Sequence, residues 1–161
     1  DVLRARDNLE EALRYFLRSL EIRQRLAARE PDNLQWQRDI SVSLNNMGEV
    51  LNAQGYLEKA RSYFSKALEI AQHLAAQEPD NKYRQRDVLV SLSNMGDVLR
   101  AQGNLEEALR YFSQDLEIAQ RLAAREPDNV QWQRDVSVSL GKLGDVLRAQ
   151  GNLDAAQAAY L

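Results

Sequence analysis

The chain has 161 residues, enough for one ordinary domain or a short repeat array and too few for a multidomain enzyme. Its 21 lysines and arginines against 24 aspartates and glutamates give a formal net charge of -3, which argues against a nucleic-acid binder or a basic membrane-surface protein. The absence of cysteine excludes disulfides, thiolate metal sites and cysteine nucleophiles, and it fits a reducing compartment such as the cytoplasm. No apolar stretch approaches the roughly 20 residues of a membrane span, and no signal peptide opens the sequence.

The sequence repeats itself with a period of 48 residues. Residues 33–80 and 81–128 are identical at 32 of 48 aligned positions by direct count. Residues 1–32 match the last two thirds of this unit, and residues 129–161 match its first two thirds. We therefore predict a single array, with repeats at 33–80 and 81–128 and partial repeats at 1–32 and 129–161.

Each repeat is predicted to begin with a helix, here called helix A, which spans about residues 34–54 in the first complete repeat. Asp32 or Asn33 is a suitable N-cap after Pro31. Apolar residues then follow at the spacing of one helical face: Trp36, Ile40, Leu44, Met47 and Leu51. Helix A is predicted to end at Gly55, because glycine tolerates the left-handed conformation that follows a helix end.

A second helix, here called helix B, is predicted to follow after a short turn. Asn104 and Glu107 have the spacing of a capping box, Asn8 and Glu11 repeat it, and Tyr56 is a weaker cap. The apolar stripe of helix B in the first complete repeat consists of Leu57, Ala60, Phe64, Ala67, Ala71 and Leu74. Proline at position 79 is predicted to end this helix.

A pair of helices cannot bury both of its apolar faces alone, so neighbouring repeats must stack. The sequence thus predicts an all-α fold, a right-handed superhelical solenoid of antiparallel helix pairs. The partial repeats leave apolar faces uncovered at both ends, which predicts end-to-end self-association. They also indicate a fragment of a longer repeat protein.

The repeat unit resembles an elongated tetratricopeptide repeat. The family's pattern is matched in helix A by Leu44, Met47, Gly48 and Leu51, and in helix B by Ala60, Phe64 and Ala67. In the next unit Asp115 replaces the second alanine of helix B, a change expected to loosen or hydrate one contact. The family's period is about 34 residues, so we interpret the longer unit as two extra turns per helix. Kinesin light chains and large bacterial regulatory proteins contain similar extended repeats.

The resemblance implies that helix A lines a concave groove that binds a peptide or protein segment. The candidate partner-binding residues are Asn45, Glu49, Asn52, Ser93, Asp97, Arg100, Asp145 and Arg148. The same lining includes Val42, Val90, Val138 and Gly141, and it is extended by Arg38, Arg86 and Arg134. An alternative is that Asp97 and Arg100, three residues apart, only neutralise each other on a solvated helix.

Other ligands are not supported by the residue types present. At the positions where chaperone-binding members of the family have lysine and asparagine, this chain has Asn45 and Glu49 in one unit, so a chaperone C-terminus is not expected. His73 is the single histidine and has no metal-ligating neighbours, so neither a metal site nor a serine–histidine relay is predicted. Trp36 and Trp132 lie on the apolar stripe, which favours packing over ligand stacking. No catalytic, cofactor-binding or nucleic-acid-binding motif is present, and no membrane contact is expected.

Three functions follow as hypotheses. The first is a non-enzymatic protein-interaction scaffold whose partner is a protein or peptide segment. The second is a structural spacer or self-assembling array in which the groove is idle. The third is the sensor region of a larger regulatory enzyme whose catalytic domain lies outside these residues.

Overall fold

A computed structural model describes the backbone of residues 2–151 and 153–160, and the side chains within residues 8–151 and 157–160. It contains α1 (Val2–Arg29), α2 (Leu34–Ala53), α3 (Leu57–Gln77), α4 (Lys82–Ala101), α5 (Leu105–Arg125), α6 (Val130–Ala149) and α7 (Leu153–Tyr160). All regular elements in these residues are helices, so the all-α prediction is confirmed. The chain divides into an N-terminal unit, Asp1–Glu78, and a C-terminal unit, Pro79–Leu161. That all repeats form a single array stays a prediction.

Helices α2, α4 and α6 are the predicted A helices, and each begins at an asparagine. The side-chain oxygen of Asn33 accepts a hydrogen bond from the backbone N–H of Gln35. Asn81 and Asn129 each accept from two N–H groups of the first turn. These bonds satisfy amide groups that the helix itself leaves without partners, so the predicted caps of the A helices are confirmed.

The A helices end at glycines with positive φ, as predicted. Gly55 has φ of 80°. Its N–H donates to Asn52 O at 3.0 Å, and the N–H of Tyr56 donates to Leu51 O at 2.9 Å. This pair of bonds is a Schellman motif, which reverses the chain direction between α2 and α3. Gly103 repeats the geometry between α4 and α5.

The predicted cap at Asn8 is wrong, because α1 continues through this residue from Val2 to Arg29. Asp7 occupies the repeat position that Gly103 holds two repeats later. A left-handed residue other than glycine costs about 1–2 kcal/mol, so the turn is unfavourable at this position. The helix therefore continues where the complete repeats reverse direction.

The predicted capping box at Asn104 is also wrong in detail. Asn104 precedes α5, but its side chain makes no hydrogen bond to the backbone of the first turn. Its side-chain amide instead donates to Glu107 Oε2 at 2.7 Å. The ψ angle of Asn104 is 70°, whereas it is 93° to 104° at the caps of α2, α4 and α6. The Schellman turn fixes this backbone conformation, and the side-chain oxygen does not reach the orphan amides.

Helices A and B pack antiparallel, and a glycine sets how closely they approach. The Phe64 ring on α3 lies against Gly48 on α2, where an added Cβ would be 2.6 Å from Cδ1 of that ring. Nearer the N-terminal end of α2, the Ser41 hydroxyl donates to the backbone oxygen of Ala67 on α3 at 2.9 Å. Gly96 and Phe112 repeat the glycine contact between α4 and α5.

The core of each unit lies between its A and B helices. The fully or nearly fully buried residues of α2 and α3 include Leu44, Met47, Leu51, Ala60, Phe64, Ala67, Ala71 and Leu74. All belong to the stripes predicted from the sequence. Leu20 of α1 joins the cluster formed by Leu44, Met47 and Ala67, so α1 covers the outer side of α2.

We expect opposite effects from alanine at two glycines of the C-terminal unit. Gly96→Ala places a Cβ 2.7 Å from Cδ1 of the buried Phe112 ring and should destabilise the fold by about 1–3 kcal/mol. Gly141→Ala is the matched control, since its added Cβ has no atom within 4 Å. This variant should gain up to about 1 kcal/mol of helix propensity. Urea denaturation gives both values, and equal shifts of the two midpoints would contradict the packing role of Gly96.

Candidate functional site

The candidate site in the C-terminal unit is a network of polar side chains that joins the A helices α4 and α6. Lys142 on α6 donates to Ser93 Oγ at 2.6 Å and to Asp97 Oδ2 at 2.5 Å, both on α4. Arg100 Nη2 donates to the other oxygen of Asp97 at 3.3 Å. Asp97 is therefore shared by one cation from its own helix and one from the neighbouring A helix.

The same network continues along α6 to α7. Arg100 Nη1 lies 3.6 Å from Asp145 Oδ2, and Arg148 Nη2 donates to Asp145 Oδ1 at 3.1 Å. The Tyr160 hydroxyl on α7 donates to the same Oδ1 at 2.5 Å. This hydrogen bond to a carboxylate raises the pKa of Tyr160, because it favours the protonated phenol. We call the seven residues Ser93, Asp97, Arg100, Lys142, Asp145, Arg148 and Tyr160 the α4–α6 network.

A second bridge joins the same two helices near their N-termini. Arg86 Nε donates to Asp135 Oδ2 at 2.9 Å, and its Nη2 donates to Oδ1 at 3.3 Å. Gln131 also donates to Asp135 Oδ1, at 2.9 Å. A two-bond contact of this kind fixes the orientation of the guanidinium as well as its position. The two A helices are thus tied at both ends.

The structure brings together five of the eight candidate residues, all of them in the α4–α6 network. In the N-terminal unit Asn45 is buried and Glu49 is exposed. Asn52 is half-buried, and its Oδ1 has no hydrogen-bond partner among the described residues. That these residues contact a partner stays a prediction.

The Asp97–Arg100 pair considered from the sequence is present, but each member has a further partner on α6. Sequence reasoning missed Lys142 and Tyr160. A signal for Lys142 was present in the sequence, because it lies about one repeat after Ser93 and Asp97. A lysine side chain at this position is long enough to reach the preceding A helix.

The α4–α6 network carries three cations and two anions, so it has one positive charge in excess. The side chains of Arg100 and Arg148 are 39% and 65% exposed. Lys142 and Asp97 are less exposed and form the inner part of the network. The outer arginines remain accessible to a carboxylate from another molecule.

Asp115 on α5 is a buried carboxylate beneath this network, with a relative exposure of 1%. The Ser139 hydroxyl on α6 donates to its Oδ1 at 3.1 Å, while Oδ2 has no hydrogen-bond partner among the described residues. Burial raises the pKa of Asp115 to about 6, and the Ser139 bond and the Lys142 cation oppose that shift. The loosening or hydration expected at this contact stays a prediction.

The tryptophans stabilise the turns between repeats. Trp132 is buried, and its indole N–H donates to Glu126 Oε2 at 2.9 Å. A hydrogen bond from Lys82, with further bonds from Trp132 and Asn129, lowers the pKa of Glu126 to about 2. Trp36 is half-buried and donates to Glu30 in the same way, at 2.8 Å. The burial of Trp132 agrees with the packing interpretation, and for Trp36 that interpretation stays a prediction.

The structure also bears on His73, on metal ligation and on membrane-spanning helices. His73 Nε2 lies 2.8 Å from Gln77 Nε2 on an exposed part of α3. Within the described side chains, no three histidine, cysteine, aspartate or glutamate groups are placed to hold a metal ion. No helix in the described part of the chain has a stretch long and apolar enough to cross a bilayer.

Comparisons with known proteins agree with this architecture. Family models described as tetratricopeptide repeat match residues 1–31, 42–73 and 87–161. Among solved structures, the TPR domain of Arabidopsis FLU is similar, with a TM-score of 0.61 and 24% identity over 77% of this chain and 91% of that one. BtubC (BKLC) from P. vanneervenii gives a TM-score of 0.36 with 18% identity over 94% of this chain and 87% of that one. No curated protein sequence matches the chain.

The raised pKa of Asp115 predicts an unusual pH dependence of stability. The folded chain binds this proton more tightly than the unfolded chain, in which the pKa is near 3.8, so the free energy of unfolding rises as the pH falls through about 6. Between pH 7.5 and pH 5 the gain should be on the order of 1 kcal/mol, and Asp115→Asn should abolish it. Urea titrations of both chains at the two pH values measure this difference. The same pH dependence in both chains would show that Asp115 is not its source.

Proposed function

Since the chain belongs to the tetratricopeptide repeat family, we propose that it is a non-catalytic scaffold that binds a segment of another protein along its A helices. Tetratricopeptide repeats generally serve protein–protein interaction. An array of preformed helices binds without the cost of folding on contact, which favours this use of the surface.

The observation that supports the proposal most directly is the α4–α6 network. Lys142 connects α6 to Ser93 and Asp97 on α4, so these side chains are held in fixed positions before any partner arrives. Arg100 and Arg148 extend from the same network into solvent. A partner carboxylate that binds these two arginines displaces water, and the protein side chains do not need to rearrange. Pre-organised guanidinium groups recognise carboxylates with defined geometry.

The charges of the A helices indicate the chemistry of the bound segments. Helix α4 has four cations and two anions, and α6 has three cations and two anions. Helix α2 has one cation, Arg38, and two anions, Asp39 and Glu49. A segment bound on α4 and α6 is therefore expected to be acidic, whereas one bound on α2 is expected to include a basic residue near the exposed Glu49. Complementary charge contributes to specificity and to the association rate more than to affinity.

Selection of peptides from a random displayed library on the immobilised chain tests this function. Peptides that bind the C-terminal unit should be enriched in aspartate and glutamate. Arg100→Ala should weaken a selected acidic peptide by about tenfold, through loss of one charge-assisted hydrogen bond.

Arg110→Ala is the matched control, because Arg110 is an exposed arginine on helix α5. It should leave the affinity unchanged. Equal effects of the two substitutions would place the binding site elsewhere. Failure to enrich any peptide would favour the spacer hypothesis.

A further inference from the structure

Two charged residues enter the contact between α5 and α6 at positions where the earlier repeats have uncharged ones. Asp115 on α5 replaces Ala67 of the preceding repeat, and Lys142 on α6 replaces Asn94. Both side chains lie close to Ser93 on α4. Lys142 Nζ donates to the Ser93 hydroxyl oxygen at 2.6 Å, and the Asp115 carboxyl group faces the same hydroxyl. The C-terminal unit therefore brings a carboxylate and a cation together at one point of its helix packing.

Asp115 does not belong to the α4–α6 network, but its charge acts on a cation at the inner part of that network. Lys142 Nζ lies 5.5 Å from the centroid of the Phe112 ring. Phe112 precedes Asp115 by three residues, so both side chains lie on one face of α5. The Lys142 cation favours the ionised form of Asp115, and the same ammonium group donates to Asp97 Oδ2 at 2.5 Å. Lys142 thus interacts with two carboxylates, through a hydrogen bond with Asp97 and through space with Asp115.

The environment of Asp115 favours its neutral form. The residue is buried, Ser139 donates to its Oδ1, and its Oδ2 accepts no hydrogen bond from a described residue. Such surroundings stabilise an ionised carboxylate poorly, because burial removes the water that would solvate its charge. Burial raises the pKa of Asp115 to about 6, so the charge of this group changes within about one pH unit of that value.

The groups that face Asp115 come from α4 and α6, which both pack against α5. Helix α6 supplies the Lys142 cation and the Asp135 carboxylate, which have opposite effects on the pKa of Asp115. Asp135 is itself paired with Arg86 of α4, and this pairing reduces its effect. From α4 the facing group is the uncharged hydroxyl of Ser93. A change of charge at Asp115 therefore acts mainly on Lys142 and, through it, on the α4–α6 network.

The net charge of this part of the molecule depends on the state of Asp115. The α4–α6 network has three cations and two anions, and an ionised Asp115 brings their sum to zero. A neutral Asp115 leaves one positive charge in excess. Salt screens a buried charge less than an exposed one, so the charge of Asp115 contributes to the electrostatic potential at the exposed guanidinium groups of Arg100 and Arg148.

We propose that Asp115 regulates the affinity of the α4–α6 network for an acidic segment, with tighter binding when its carboxyl group is neutral and weaker binding when it is ionised. This proposal rests on the function proposed above and adds a regulation of the same site. It means that the chain binds acidic segments more tightly at pH 5 than at pH 7.5. Linkage requires the reciprocal effect, so a bound acidic segment increases the proton affinity of Asp115.

Calorimetric binding of a hexa-aspartate peptide at pH 5 and pH 7.5, at low ionic strength, tests the proposal. The ratio of the two affinities should be about fivefold greater for the unmodified chain than for Asp115→Asn, which is neutral at both pH values. Asp115→Ala restores the residue type of the preceding repeat and should behave like Asp115→Asn. The titration of the peptide and of His73 is common to all these chains, so its contribution cancels in the comparison.

Glu117→Gln is the matched control, since it removes the same charge from an exposed position on the same helix. This variant should keep the affinity ratio of the unmodified chain. Binding with equal ratios for the unmodified chain and Asp115→Asn overturns this proposal and leaves the interaction function intact. Absence of binding by every chain at both pH values overturns the interaction function for acidic segments, and this proposal with it, so the two failures are distinguishable.

Carboxyl-carbon NMR of Asp115 gives a second measurement. Without peptide, Arg100→Gln removes a cation of the network and should raise the titration midpoint of Asp115 by about 0.3 of a pH unit. Arg110→Gln removes an exposed arginine of α5 and should leave the midpoint unchanged. Saturation of the unmodified chain with hexa-aspartate should raise the midpoint by about 0.7 of a pH unit, the logarithm of a fivefold coupling. A midpoint that responds to neither Arg100→Gln nor the peptide overturns the proposal.

Discussion

The close contact between a glycine of helix A and an aromatic ring of helix B determines the rest of the structure. At Gly48 and Gly96 the ring occupies the space that a Cβ would need, so the two helices approach more closely than side chains would otherwise allow. Gly144 makes the same contact with Tyr160, whose hydroxyl also bonds Asp145. The tyrosine therefore joins the packing of the helix pair to the polar network on the A helices. A shift of the Tyr160 ring would therefore disturb both the contact with Gly144 and the hydrogen bond to Asp145.

Most buried apolar positions between helices A and B repeat from one unit to the next, although the buried Asp115 stands where the preceding unit has Ala67. Leu44 and Leu92 are both buried leucines at one repeat position. The position of Asn52 on α2 is taken by arginine on α4 and α6, and this difference contributes one of the charges by which the A helices differ. Core packing tolerates little change in volume, whereas exposed positions can vary at small cost in stability. The same scaffold thus presents different chemistry on each A helix.

The sequence predicted most of the fold because each local signal agreed with the others. The caps, the glycine stops and the apolar stripes all indicated the same helix boundaries. One error arose where a residue departs from the repeat, and the other arose where the preceding turn fixes the backbone. Asp7 replaces the turn glycine and α1 continues, and the backbone at Asn104 is fixed by the preceding turn. In the candidate site, Lys142 was missed because its role depends on a helix one repeat away, a contact that local patterns do not reveal.

The internal pairing of the α4–α6 network does not prevent its outer members from binding a partner. Exposed ion pairs contribute about 0–1 kcal/mol because solvent screens them, so the Arg100–Asp145 contact at 3.6 Å is readily exchanged for a partner carboxylate. Lys142 and Asp97 are less exposed, and separating them would leave the partly desolvated Lys142 cation without a carboxylate partner. The inner pair therefore holds α4 and α6 in register and leaves the outer arginines available to the partner segment proposed above. A network of this kind combines rigidity at its base with exchangeable contacts at its surface.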